Sequence, residues 1–249
     1  MGAMLRAAVE TGRVAVRQPR VIAATLVTGV LAPVLAVLSG LLPFVGGVVY
    51  ALVVHPILLA GLLHVGSTAV EESVGLGTYV AGIRSHYFGL LKATLLTGTI
   101  FVPLGWLAVV IIFTTGFTGV AGINAGLVVV LALFMVMGVG LQFIDASVVV
   151  DGDGASGAVE HSWEALAHHP VSVLGYTLVR VLSLGVVAGA VAVFVRGGKL
   201  GFDAPNAPGT GTLAAALVLG LVGYLVGGVF HALFYRELTD ATLQTDVSQ

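Results

Sequence analysis

The 249-residue chain contains no cysteine. Disulfides, thiol catalysis, iron–sulfur clusters and cysteine-ligated zinc are therefore excluded, and the absence says nothing about compartment. Charge is also scarce. Asp, Glu, Lys and Arg make up 9% of the residues, against about 25% in an ordinary soluble domain. So few charges cannot cover the surface of a water-soluble protein of this size. The net charge is −2 with histidine neutral, so there is no basic field for nucleic acid. Walker A, nucleophile-elbow and HExxH patterns are missing too. No catalytic residue, cofactor or metal is expected from these absences.

What is present is apolar. Hydrophobic residues are 58% of the chain, mean hydropathy is +1.09, and the 35 glycines suit helices that pack closely in a bilayer. A spanning helix needs ~20 apolar residues. Runs of that order occur at 21–42, 48–65, 88–113, 125–150, 171–195 and 212–235. The first follows four arginines (Arg6, Arg13, Arg17, Arg20) and lacks a cleavage context, so it reads as a span and not as a removed signal.

Polar intervals separate these runs in pairs. Met4–Gln18, Ser67–Ser85 and Ala155–His169 each carry apolar residues at helical spacing with charge in other directions, the pattern of a helix lying in the membrane interface. The expected fold is therefore all-α: six transmembrane helices in three hairpins, each preceded by a short amphipathic helix. Residues 1–237 form one domain and 238–249 a flexible polar tail. Local echoes such as RQPRVIAATLVTG and SHYFGLLKATLLTG point to an internal threefold repeat. Lysine and arginine concentrate beside the N-terminal side of the spans, which predicts cytoplasmic termini in a multi-pass protein.

Arg180 lies ten residues beyond Pro170 inside an apolar run, about 15 Å from its end at about 1.5 Å per residue. A charge at that depth needs a partner, and Asp145 on the preceding run is the available one, with Gln142 beside it. His55, Asp145 and His231 recur at separations of 90 and 86 residues and form a candidate proton or ion site if the repeats converge. Trp163, Arg13, Arg17, Arg84 and His168 are the expected interfacial contacts. The turn Asp151-Gly-Asp-Gly begins like a calcium loop, but Ser162 stands where the closing glutamate belongs, so no calcium site is expected.

Around VVVDGDG, Ala158, Ser162-Trp163 and His169-Pro170 the chain resembles a group of prokaryotic membrane proteins. The group includes the membrane domain associated with glycerophosphodiester phosphodiesterases and related archaeal proteins of unassigned role. The resemblance implies the six-span topology and transfers no activity, because a soluble catalytic barrel has no room in this chain.

The expected function is a non-enzymatic membrane scaffold, accessory or lipid-organising protein. Its partners would be membrane lipids, with a second membrane protein or another copy docking through glycine-rich spans. The alternative is a small transporter or channel working through Asp145 and Arg180, and a membrane metalloenzyme stands third. A polar cavity joining Asp145, Arg180 and either histidine favours transport. Apolar packing around an isolated pair favours the scaffold.

Overall fold

The computed structural model describes residues 2–40, 45–116, 123–200, 218–219 and 222–247. Regular structure among them is entirely helical. Helix α1 (Gly2–Arg17) packs a narrow face of Ala3, Ala7, Thr11 and Val14 onto the body, and α2 (Pro19–Gly40) leaves it at 100°. Pro19 suits the first turn of α2 because it has no N–H to satisfy. The Gln18 amide locks this elbow: Nε2 donates to the Ala69 and Glu72 carbonyls at 2.5 and 2.9 Å, and Oε1 accepts from the Val74 N–H at 3.0 Å.

Helix α3 (Val45–Val49), a π-helical turn (Tyr50–Val54) and α4 (His55–Thr68) follow as one apolar rod. Helix α5 runs without interruption from Leu76 to Gly116. Helices α6 (Ile123–Gly140) and α7 (Ile144–Val150) are separated by a short break, and α8 (Ala155–His168) and α9 (Pro170–Leu200) come next. A second π-helical turn (Val226–Phe230) leads into α10 (His231–Val247).

The protein is all-α, membrane-embedded and multi-pass, but six spans in three hairpins is not the arrangement found. Among the described residues three helices are long and apolar enough to cross: Val45–Thr68, Leu76–Thr114 and Gly126–Val150. A fourth appears only if the bent pair Gly2–Arg17 and Pro19–Ala32 counts as one span. The described apolar part of the expected fifth span is Pro170–Ser183, too short to qualify. Residues 212–217, 220 and 221 of the expected sixth span lie outside the described residues, and its described part from 222 onward is broken by a π-helical turn at Val226–Phe230. Pro43 and Phe44 of the expected reversal and most of the loop at 114–124 also lie outside them, while residues 45–47 open α3 instead of turning.

The second surface helix also fails as a separate element, since Leu76–Ser85 is the first part of α5. No proline falls between Ser85 and Phe88, and of the glycines that weaken this stretch Gly82 serves packing instead. A Cβ on Gly82 would sit 2.9 Å from the Ala60 carbonyl oxygen. The polar end is likewise helical to Val247, with Leu238 buried.

The break at 141–143 has a local cause. Trp163 of α8 lies so close to Gly140 that a Cβ there would fall 2.4 Å from the indole Cζ2. Ser162 beside it replaces the missing helical bonds: its Oγ donates to the Gly140 carbonyl at 2.7 Å and accepts from the Phe143 N–H at 3.1 Å. Ser162 is fully buried, so Ser162→Ala strands both backbone groups. The expected loss is about 1–3 kcal/mol, read as a lower midpoint in denaturant unfolding of the detergent-solubilised chain.

Candidate functional site

Three helix irregularities sit just ahead of polar side chains. The first π-helical turn ends at His55, the 141–143 break precedes Asp145, and the second π-helical turn ends at His231. Each irregularity shifts the facing of the residues that follow, a device common at functional positions.

His231 is fully buried, and its Nε2 lies 2.9 Å from Asp145 Oδ1. Its Nδ1 pairs with the Tyr176 hydroxyl of α9. An ionised Asp145 accepts only, so Nε2 carries the proton and Nδ1 accepts from Tyr176. The imidazole is held between rings, stacked on Phe143 at 5.5 Å and Tyr176 at 5.3 Å. Asp145 Oδ1 also accepts the Ala146 N–H at 3.0 Å.

On the other side of the carboxylate, Asp145 Oδ2 is 3.6 Å from Arg180 Nη2. Arg180 Nη1 donates to the Gln142 carbonyl at 2.6 Å. The Gln142 side chain accepts from Thr177 Oγ1 at 3.1 Å, and its buried Nε2 has no partner among the described residues. These groups border a cavity of about 520 Å³ whose lining includes His55, Gln142, Asp145, Thr177 and Arg180, with Leu59, Phe101, Met135 and Val181 on its apolar walls. His55 is exposed on that wall. The cavity thus joins Asp145, Arg180 and one histidine, while the second histidine backs the same carboxylate.

The expected interfacial residues are dispersed. Arg13 pairs with Glu10 at 2.5 Å, and Arg17, Arg84 and His168 are exposed. Trp163 is half-buried, spent on its contact with Gly140. Gly185 and Gly189 have open space at their Cβ positions, as does Gly227; the close approaches fall at Gly61, Gly66, Gly140 and Gly228 instead.

A second polar group stands at the turn between α7 and α8, which the sequence suggested was no cation site for want of a closing glutamate; the histidine that joins it comes from α8. Gly152 at φ 74° folds the turn so that Asp151, Asp153 and His161 bring ligand-capable atoms within 4.8 Å of one another. Asp153 Oδ2 accepts from Ser147 Oγ and lies 2.6 Å from His161 Nδ1. Tyr235 donates to Asp151 at 2.5 Å. Two carboxylates and an imidazole are able to share a cation or a proton. The signal was the histidine eight positions after Asp153, in the second turn of α8, where it lies back over the loop.

The hydrogen bond to Asp153 raises the His161 pKa, and burial raises that of Asp151. A raised histidine stabilises the fold fully below its unfolded value, about 6.5, and that contribution disappears as pH rises through the raised folded value. The melting temperature is therefore expected to fall more steeply with pH above about 6.5 in the parent than in His161→Gln. Parallel melting curves across that window would contradict the assignment.

The chain belongs to the family described as "Domain of unknown function (DUF7847)", which it matches over residues 3–239. No curated protein and no solved structure matches it.

Proposed function

We propose that the chain is a small proton-conducting membrane transporter or channel whose working site is the cavity around Asp145 and Arg180. The observation that carries this reading is the cavity itself: one carboxylate, backed by His231, faces a space that His55 also borders. Intramembrane ionisable groups are expensive, and they concentrate on proton and ion pathways. Asp145 is the exchange point, accepting from the His231 Nε2–H within the bundle and open on its other side to the cavity.

The second polar group supplies the continuation. Asp151 is six residues further along α7, about 9 Å at helical rise, and Tyr235 is one turn beyond His231 on α10. From there Tyr235, Asp151, Ser147, Asp153 and His161 reach the exposed end of α8. Arginine-rich α1 and the exposed Arg84 favour a cytoplasmic position for this end and for both termini. Membrane lipids are the surroundings this surface fits.

Proteoliposomes loaded with a pH dye and given a potassium potential with valinomycin test the reading. Proton flux well above that of protein-free vesicles is expected, lowered at least tenfold by Asp145→Asn. Wild-type vesicles no leakier than protein-free ones would refute it.

A further inference from the structure

We infer that the same cavity takes a lipid-like amphiphile with an uncharged, hydrogen-bond-accepting head, such as an ester or carbonyl oxygen, and a single apolar chain. The inference rests on the cavity that the proton reading also uses, but not on conduction.

The head is chosen by what the polar end lacks. Gln142 is 7% exposed, borders the cavity, and keeps an amide nitrogen without a partner. Buried polar groups are nearly always satisfied, so an orphaned donor on a cavity wall points to an acceptor supplied from outside the chain. Its terminal torsion has broad wells, so turning the amide toward the cavity that Gln142 lines presents an N–H to an occupant. Arg180 adds to the donor side, because its guanidinium has five N–H groups and one hydrogen bond among the described residues, to the Gln142 carbonyl.

The charge of the head follows from the ion pair. Asp145 already balances Arg180 at 3.6 Å, so an anionic head would bring uncompensated charge into a low-dielectric space. An uncharged acceptor oxygen adds none.

The tail is chosen by the walls and the rim. Leu59, Leu90, Phe101 and Val139 line the space, and Met135 and Val181 at its edge are 71% and 59% exposed. That rim is apolar, on helices that are themselves apolar outward, so the tail end of the space opens toward hydrocarbon, while Gln142, Asp145, Thr177 and Arg180 make its other end polar. A volume of about 520 Å³ falls in the range of small-molecule sites, about 300–1,000 Å³.

Native mass spectrometry of the full chain in detergent, titrated with 1-monoolein, oleate at pH 8 and 1-octadecene, tests this. One-to-one monoolein adducts are expected, with oleate at least tenfold weaker and octadecene absent at the same concentration. Gly138 borders the cavity and a Cβ there meets nothing within 4 Å, so Gly138→Phe fills the space and should lower adduct formation at least tenfold. Gln142→Met should also weaken binding about tenfold without lowering the melting temperature, since it removes an orphan. A merely structural glutamine would lose stability and leave binding unchanged.

Octadecene equal to monoolein, oleate tighter than monoolein, or adducts that persist in Gly138→Phe would each overturn the inference. So would no adduct at all, or a map showing a single water satisfying Gln142. Adducts without proton flux would sink the transport reading and leave this one standing. Flux without adducts would do the reverse.

Discussion

Asp145→Ala is expected to destabilise the protein by about 3–5 kcal/mol, the cost of breaking a buried pair from one side. The substitution removes the carboxylate from Arg180 at 3.6 Å and the acceptor from His231 Nε2 at 2.9 Å in a single step. Arg180 loses its counter-ion, and the buried His231 Nε2–H loses its acceptor. The double variant Asp145→Leu with Arg180→Met should recover most of the loss, because it removes both charges together. Equilibrium unfolding in mixed micelles measures both. A single-variant loss below about 1 kcal/mol, the scale of an exposed pair, would mean that the two charges are solvated and not paired.

Gly66→Val is expected to have the second-largest effect. Helix α4 passes the second π-helical turn so closely that a Cβ on Gly66 would lie 2.9 Å from Val229 Cα and 3.3 Å from Ala232 Cβ. The nearest obstacle is backbone, which cannot rotate aside as a side chain can. Overpacking of this kind costs about 1–3 kcal/mol, and the displaced segment ends at His231, so the imidazole is pushed off Asp145 as well. Proton flux should fall together with stability. Gly98→Val on α5 is the matched control, since a Cβ there meets nothing within 4 Å and helix propensity does not fall, valine being a better helix former than glycine. Equal losses in the two variants would show that the close approach is not a constraint.

These two predictions involve different kinds of legibility. A charge ten residues into an apolar run announces that it needs a partner, and Asp145 is the one carboxylate inside the six apolar runs. The convergence of His55 on the same cavity rested on spacing alone. The helix irregularities were not readable, because Tyr50–Val54 carries ordinary helix-compatible residues and the Gly227–Gly228 pair in Val226–Phe230 is one of three such pairs in the chain. Ser162 was read as part of an amphipathic face, whereas it closes the break opposite Gly140.

Span number was misjudged for a related reason. Hydropathy counts apolar residues but does not register where a rod bends or continues. Gln18 and Pro19 turn the chain by 100° within an otherwise helical stretch. Conversely, Leu76–Gly116 continues through a segment whose polar residues and glycines suggested a stop. At about 1.5 Å per residue, its 41 residues extend about twice the hydrocarbon thickness of roughly 30 Å, more than one crossing needs.

The absence of cysteine allows the central claim to be tested directly, because an introduced thiol is the only one in the chain. Alkylation by N-ethylmaleimide needs a thiolate, which forms where polar surroundings reach the sulfur and not in hydrocarbon. In vesicles, Gly138→Cys on the cavity wall should react at least tenfold faster than Val129→Cys on the outer face of α6, where the parent side chain is 58% exposed. Added 1-monoolein should slow only the first. Equal, slow reaction at both positions would mean that the space beside Asp145 and Arg180 is a closed apolar seam, and the account of this protein as one built around an open intramembrane site would be wrong.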